Sequence, residues 1–240
     1  MLSARERVRA ELTADITAAA RRQLAEVGAA GLSLRAVARD LGMVSSAVYR
    51  YFPSRDDLLT RLIIDGYDDL GAAADAPHDP TAPPAERWLA VCRAVRTWAR
   101  SHPHEYALLY GSPVPDYRAP AEQTNEPGTR VQALLVALLA DARRAGRLSN
   151  AAARFAPGSH DLAEAAASHL LDDPFFADAG LDASTVMAGL AAWTLLLGTV
   201  TTELFEQLGD TIPDPGAYFD FMLELAGRLV LGPLPVPVHS

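Results

Sequence analysis

The stretch SLRAVARDLGMVSSAVYRYF, at residues 33–52, most constrains the fold because it predicts two short helices joined by a tight turn. Ser33 is placed to cap the first helix by accepting a hydrogen bond from a free backbone N–H of its first turn. The apolar residues that follow have the i, i+3, i+4, i+7 spacing of one buried helix face, namely Leu34, Val37, Ala38 and Leu41. Gly42 supplies the left-handed residue that ends the helix. The pattern therefore predicts a helix-turn-helix.

The second helix of this motif is predicted to begin at Ser45 or Ser46 and to bury Val48 and Phe52. Hydroxyls, a tyrosine and an arginine around the start of a short helix suit the major groove of DNA, where the N-terminal residues of a recognition helix reach base edges and phosphates. Four more side chains remain available on the outside: Ala47, Tyr49, Arg50 and Tyr51. Either tyrosine could instead cover the small core with its ring.

Charge is distributed unevenly along the 240 residues, whose formal net charge is −9. Up to residue 65, ten arginines stand against eight acidic residues; after it, eleven arginines stand against twenty-two. A basic-leaning beginning on an acidic remainder suits DNA binding at one end. A helix is predicted before the motif, over about residues 7–27, and Gly28 and Gly31 end it. Three arginines near its start predict either a DNA contact or a disordered arm: Arg5, Arg7 and Arg9.

The compartment follows from cysteine content and from the first residues of the sequence. A single cysteine, Cys92, excludes an internal disulfide and fits a reducing environment. The beginning, MLSARERVRAEL, has charges where an export signal needs an apolar segment. We therefore expect a cytoplasmic protein. Residues 186–202 contain no charge, but their length is at the lower edge for a membrane span and they include Ala, Gly and Thr. A buried helix is favoured, and no membrane partner is expected.

Apolar spacing predicts helices throughout, and no segment shows the sustained alternation of a strand, so the expected fold class is all-α. A fourth helix, over about residues 54–74, follows the motif. Four prolines within residues 75–84 predict a domain boundary. Residues 1–74 would then form the helix-turn-helix domain with its linking helix, and residues 75–240 would form a second helical domain.

The second predicted domain has enough aromatic area to line a small-molecule pocket. Each candidate can also be an ordinary core residue, and the candidates are Trp88, Cys92, Trp98, Tyr106, Tyr110, Phe155, Phe175, Phe176 and Trp193. A row formed by Arg93, Arg96 and Arg100 could bind an anion, but a solvated helix face is favoured. The histidines lack the dense spacing of a metal site: His102, His104, His160 and His169. No metal and no cofactor is expected.

The motif and its surroundings resemble the TetR family of bacterial transcriptional repressors. The resemblance rests on Val37-Ala38, Leu41-Gly42-Met43, Val48-Tyr49, Tyr51-Phe52, and Arg55 with Leu58. It implies an all-α fold in which a three-helix DNA-binding head is joined by the fourth helix to a helical body for ligand binding and dimerisation. It also implies homodimers paired through the last two long helices, here about residues 182–207 and 215–231. Their candidate interface residues are Val186, Leu190, Leu197, Leu204, Tyr218, Phe221 and Leu225.

The same resemblance implies DNA contacts at individual positions. Tyr49 matches the tyrosine that contacts phosphate, Tyr51 matches the aromatic or histidine position after it, and Arg55 stands where a lysine meets the DNA backbone. The variable surface that reads bases corresponds to Ser45, Ser46, Ala47 and Arg50. Arg50 could bind a guanine or a phosphate. The supporting helix begins beside a phosphate with Ser33 and Arg35. Val44 departs from the pattern, since a capping serine is commoner there.

The body also resembles an actinobacterial subgroup with a tryptophan-containing C-terminal motif, through the stretches HPHEYALLYGSP and AAWTLLLGTVTTELF. Leu197 stands before Gly198 where that subgroup often has histidine. This resemblance implies a cavity and no particular ligand.

Three functions remain open from the sequence. The first is a repressor that binds a palindromic operator as a homodimer and is released by a small apolar effector. The second is a dimeric DNA-binding regulator without an effector. The third, a small helical enzyme or carrier, is disfavoured because the sequence has no Gly-rich phosphate loop, nucleophile motif or paired-carboxylate site.

Overall fold

The computed structural model describes residues 3–77, 79–149, 159–172 and 174–232. The helices are α1 (Ala4–Gly31), α2 (Leu34–Asp40), α3 (Ser45–Val48), α4 (Arg55–Asp75), α5 (Pro84–Ser101), α6 (Pro103–Tyr110), α7 (Ala121–Gly128), α8 (Arg130–Arg144), α9 (Ser159–Leu171), α10 (Pro174–Ala177), α11 (Ala183–Leu204) and α12 (Pro215–Val230). These ranges contain no strand, although one isolated bridge pairs Leu148 with Leu231. The expected all-α fold class is confirmed.

The chain divides into two compact units. The first unit contains the residues up to Asp69 and the segment His102–Gly128, and the second contains Leu70–Ser101 and the residues from Thr129 onward. The units therefore divide the chain differently from the two predicted domains, whose boundary at residue 74 stays a prediction. The segment 102–128 belongs to the first unit because it packs there: the hydroxyls of Thr60 and Tyr117 are 2.9 Å apart.

The core of the first unit is formed where α1 and α4 meet the helix-turn-helix. Its buried side chains are Ile16, Ala19, Ala20, Leu32, Leu34, Val37, Ala38, Val48, Phe52, Leu58, Leu59 and Leu62. Gly28 has a φ of +68°, which interrupts the regular backbone of α1 at the place where the sequence predicts its end. Glycine adopts this left-handed conformation without the steric cost of a Cβ. Val27, just before it, is exposed rather than part of the apolar face.

Gln23 of α1 holds α2 at both of its ends. Its side-chain oxygen accepts a hydrogen bond from the amide of Ser33 at 3.3 Å, and its side-chain nitrogen donates to the carboxylate of Asp40 at 3.4 Å. The prediction that the Ser33 hydroxyl caps α2 is wrong, because that side chain makes no capping hydrogen bond. Gln23 is buried under α2 and binds the backbone at this point. No local signal in the sequence indicates this contact.

The second unit is a helical bundle in which α11 packs against α5, α9 and α12, and α5 packs against α8. Trp88 of α5 lies in its core, and its indole N–H donates to the carbonyl of Leu223 at 3.2 Å. Within the described ranges, α11 is the one helix long and apolar enough to cross a membrane by length and composition. This is weak evidence for a span, because a core helix passes the same test.

Candidate functional site

The helix-turn-helix lies where the sequence predicts it. Gly42 has a φ of +63°, and the amide of Met43 donates to the carbonyl of Ala38 at 2.8 Å, which closes the end of α2. The second helix begins at Ser45, one of the two predicted starts. Below it, Val48 and Phe52 are buried, as predicted. The recognition helix is therefore anchored to the core through its inner face.

Polar and charged side chains occupy the solvent-accessible side of this motif. Tyr49 is 42% exposed. The other exposed candidates are Arg35, Ser46 and Arg50, and the half-buried ones are Ser33, Ser45, Ala47, Tyr51 and Arg55. Arg39, at the end of α2, is also exposed. In the part of the chain that the structure describes, the side chains of Arg35, Arg39 and Arg50 make no hydrogen bond and no ion pair. Their charges are available to an anionic partner.

Tyr51 has a structural contact as well as a partly accessible ring. It packs against the core of the first unit, and the guanidinium of Arg9 lies over its ring, 5.7 Å from the centroid. Arg9 belongs to a formed helix, since Ser3 and Glu6 make a reciprocal capping box at the start of α1. The hydrogen bonds from Ser3 lower the pKa of the Glu6 carboxyl. The alternative of a disordered arm is therefore wrong for the residues from Ser3 onward.

Arg55 is engaged inside the first unit. Its guanidinium donates to the carbonyls of Ala29 and Ala30 at 2.8 and 3.2 Å, and so binds the last carbonyls of α1. A cation at the C-terminal end of a helix also complements the partial negative charge there. A phosphate contact by Arg55 stays a prediction. To make it, the side chain would have to bind DNA in addition to the two carbonyls of α1.

The arginines of α5 are paired with acidic residues of the second unit. Arg96 makes a bidentate contact with Glu203, at 2.7 and 2.8 Å, and its guanidinium lies 4.6 Å from the centre of the Phe219 ring. Arg93 contacts Asp220 at 3.1 Å. Arg93 and Arg100 are exposed, as the favoured prediction of a solvated face expects, whereas Arg96 is half-buried. The pairs with acidic residues also link α5 to α11 and α12. The anion-site alternative loses its support because of these pairs.

A cavity of about 50 Å³ lies within the second unit, between α5, α8, α10 and α11. Its lining consists of Trp88, Gln132, Leu135, Val136, Leu139, Phe176, Leu181, Val186, Gly189, Leu190 and Trp193. Three predicted pocket residues are among them: Trp88, Phe176 and Trp193. A pocket lined by apolar and aromatic side chains with one polar group is typical of small-molecule sites.

The other pocket candidates lie elsewhere. Cys92 and Trp98 are buried in the second unit without lining the cavity, and burial raises the pKa of the Cys92 thiol. Tyr106 and Tyr110 fall in the first unit, where their ring centres are 5.2 Å apart, and they do not line this cavity, so their place in a ligand pocket stays a prediction. Burial raises the pKa of Tyr110. Phe155 and the side chain of Phe175 lie outside the described residues.

The predicted dimer residues differ in exposure. Val186, which is buried, and Leu190, which is half-buried, both line the cavity, and their place in a dimer interface stays a prediction. Leu197, Leu204 and Tyr218 are half-buried. Phe221 and Leu225 are 63% and 43% exposed, and Phe205, which the sequence analysis did not select, is 40% exposed. We call Ala191, Gly198, Phe205, Phe221 and Leu225 the apolar strip; all five are exposed on or directly after α11 and α12.

Metal ligands do not cluster in the described ranges: no group of three or more His, Cys, Asp or Glu side chains there could hold an ion. The side chain of His160 lies outside these ranges.

Two family models match the chain. Residues 16–62 match "Bacterial regulatory proteins, tetR family", and residues 88–226 match "Tetracyclin repressor-like, C-terminal domain". Curated relatives include HTH-type transcriptional regulators of Mycobacterium bovis and Mycobacterium tuberculosis, each 42% identical over 92% of this chain and 93% of the relative. The crystal structure of the protein SCO4313 has a TM-score of 0.72 and 31% identity, over 93% of this chain and 98% of that one. A tetR-family regulatory protein from Rhodococcus RHA1, with a TM-score of 0.60 and 18% identity over 91% of this chain and 96% of that one, shows the shared fold.

An exposed, arginine-bearing helix-turn-helix on an all-α chain, together with these relatives, defines a DNA-binding transcriptional regulator. The chain belongs to the TetR family of bacterial regulatory proteins. Proteins of this family bind DNA and function as dimers, and the relatives are regulators rather than enzymes.

Proposed function

We propose that the protein is a cytoplasmic repressor that binds a palindromic operator as a homodimer and is released when a small apolar molecule enters the cavity of the second unit. The observation that carries the proposal is Arg50, whose exposed side chain has no ion pair in the described part of the chain. It lies beside Tyr49 in the turn directly after α3, and Val48 and Phe52 anchor this segment to the core. An arginine side chain with no protein partner is free to make the bidentate contact to guanine that commonly gives base specificity.

The proposed two-fold symmetry of the dimer and its operator follows from the small size of this recognition helix. One short helix reads few base pairs, so useful affinity requires two heads on one face of the DNA, where successive major grooves repeat every ~34–36 Å. The apolar strip supports pairing through α11 and α12. Exposed phenylalanine and leucine side chains on these two helices favour burial against the same side chains of a second copy, as in a two-fold interface.

The dimer is tested by sedimentation of Phe221→Arg beside the unchanged protein. We expect the unchanged protein to be a dimer at micromolar concentration and the variant to be a monomer that binds operator DNA weakly. Leu162→Arg is the matched control, because Leu162 is an exposed leucine of α9 outside the apolar strip. A monomer that binds its operator with full affinity would contradict the proposal, and so would equal effects of the two variants.

Release by a ligand requires that the ligand bind the two conformations unequally. α4 contributes residues to both compact units, so a ligand that shifts α4 can move the heads. A hundredfold loss of operator affinity corresponds to about 2.7 kcal/mol of coupling. Reciprocity then requires that operator DNA weaken ligand binding by the same factor.

Paired titrations test this coupling. An operator is first selected from random DNA, and operator affinity is then measured with and without each small molecule that stabilises the protein against heat. The same molecule is titrated with and without operator, and the two factors should agree. A molecule that binds the cavity tightly and leaves operator affinity unchanged is not the inducer. If no molecule binds, the regulator without an effector becomes the better description.

A further inference from the structure

Gln132 is the polar exception in the cavity of the second unit. It lies on α8 among lining residues that are otherwise apolar or aromatic, such as Leu135, Leu139 and Leu190. The indole N–H of Trp88, on the same lining, already donates to the carbonyl of Leu223. The amide of Gln132 is therefore the group best placed to give the cavity directional selectivity.

The side-chain oxygen of Gln132 is buried and accepts no hydrogen bond from the described part of the chain. Buried polar atoms in proteins nearly always have a hydrogen-bond partner, and an amide oxygen can accept two. A donor is therefore required from outside the described part of the chain. A water molecule or a ligand hydroxyl can supply it, and a ligand that lacks a donor would displace that water and leave the oxygen without a partner.

The size of the cavity limits what can carry the donor. At about 50 Å³ the cavity is small for a ligand site. Sites for drug-sized ligands occupy roughly 300–1,000 Å³. The buried part of the ligand is therefore short and narrow.

We infer that the effector of this cavity buries a short aliphatic group with one hydrogen-bond donor, as an alcohol does, and donates it to Oε1 of Gln132. This inference rests on the proposed function, because it assigns a ligand chemistry to the same cavity. It adds the requirement that the ligand carry a hydrogen-bond donor, which the apolar lining alone does not impose.

Three probes of similar size separate the possible contacts. 1-Butanol carries a donor, 1-chlorobutane is close to isosteric without one, and butanenitrile offers only an acceptor. Their dissociation constants are measured with the dimeric full-length protein by two-dimensional NMR, from the shifts of the Trp88 and Trp193 indole N–H signals. The same titrations are made with Gln132→Met, which keeps the length of the side chain, and with Gln123→Met, the same change at an exposed position of α7.

We expect 1-butanol to lose about tenfold in affinity relative to 1-chlorobutane on going from the unchanged protein to Gln132→Met. Butanenitrile should follow 1-chlorobutane, and Gln123→Met should leave all three affinities unchanged. The melting temperature of each variant confirms that it is folded.

Two results would overturn the donor requirement and leave the cavity as a ligand site. One is an unchanged ratio of the butanol and chlorobutane affinities in Gln132→Met. The other is that butanenitrile follows 1-butanol, which would mean that the amide N–H of Gln132 donates to the ligand. If no probe shifts the Trp88 or Trp193 signals in any of the proteins, the cavity itself is not a ligand site, and both this inference and the effector half of the proposed function are contradicted.

Discussion

Arginine is the only basic residue type besides histidine in this chain, and the two compact units use it differently. In the helix-turn-helix of the first unit, Arg35, Arg39 and Arg50 are exposed and have no ion pair within the described ranges. In the second unit, Arg87 and Arg96 bind carboxylates of neighbouring helices. The comparison shows that position in the fold, more than net charge, decides which cations can neutralise DNA phosphates.

The excess of acidic residues after residue 65 agrees with this difference between paired and unpaired arginines. Their carboxylates surround the arginines of the second unit and pair with them, as Asp141 does with both Arg87 and Arg144. A protein with a net charge of −9 can therefore still present unpaired positive charge on one surface. DNA affinity depends on that local surface, because phosphate contacts act within about a Debye length of ~10 Å.

The largest effect is expected where an arginine is most buried. Arg87 is 3% exposed and lies 2.6 Å from Asp141. Arg87→Met should lower the free energy of unfolding by about 2–3 kcal/mol, because it removes the charge-assisted hydrogen bond of a buried guanidinium, whereas Asp141 keeps its contact with Arg144. Urea unfolding followed by tryptophan fluorescence measures this, since all three tryptophans belong to the second unit. Arg93→Met is the control: its exposed pair with Asp220 should contribute less than about 1 kcal/mol. Equal losses would contradict the distinction between the buried and the exposed pair.

The next effect concerns an unpaired arginine. Arg50→Ala should lose about 1–3 kcal/mol of binding free energy on the selected operator and less on random DNA, because a bidentate base contact is sequence-specific. Fluorescence anisotropy at a fixed salt concentration measures both. Arg39→Ala, at another exposed and unpaired position, serves as a comparison for the loss of charge alone. Equal losses on the two DNAs would place Arg50 among the phosphate contacts.

A substitution at Arg55 tests whether this side chain stabilises the first unit, contacts DNA, or does both. Arg55→Ala should destabilise the first unit by about 1.5 kcal/mol, because two charge-assisted hydrogen bonds to α1 are lost. Faster hydrogen exchange of the amides at the end of α1 would show this. The slope of log binding constant against log salt concentration would also become shallower, by about one per head, if Arg55 neutralises a phosphate. Unchanged exchange together with a lower slope would make Arg55 a DNA contact alone.

The smallest effect is expected from a single hydroxyl. If Tyr49 donates a hydrogen bond to a phosphate, as the family resemblance implies, Tyr49→Phe should weaken binding to operator and random DNA alike, by about 0.5–1 kcal/mol, since it removes the hydroxyl and keeps the ring. The same anisotropy titrations measure this change. A loss confined to the operator would show that Tyr49 takes part in reading bases.

The local features of the motif could be predicted from the sequence because neighbouring residues determine them. Gly42 at the turn and the burial of Val48 and Phe52 follow from spacing and backbone chemistry. The cap of α2 could not be predicted, because its partner Gln23 lies ten residues before Ser33 on another helix.

The body was harder to predict for a related reason. α11 is apolar on several sides, so its periodicity does not show which side lines a cavity and which is exposed. Val186 and Leu190 line the cavity, whereas the resemblance to the TetR family grouped them with Phe221 and Leu225 at a dimer interface. Long-range packing also decided that Tyr106 and Tyr110 belong to the first unit.

We expect Gln23, which lies outside the helix-turn-helix motif, to influence which DNA sequence this protein prefers. Because its one amide group holds the beginning of α2 and Asp40 at its end, a change there would tilt the supporting helix, and the recognition helix with it, without removing any side chain that touches DNA. A library of variants randomised only at residues 45–51 would then miss part of the accessible specificity. Selection for new operators should enrich substitutions at position 23 paired with compensating ones at position 40.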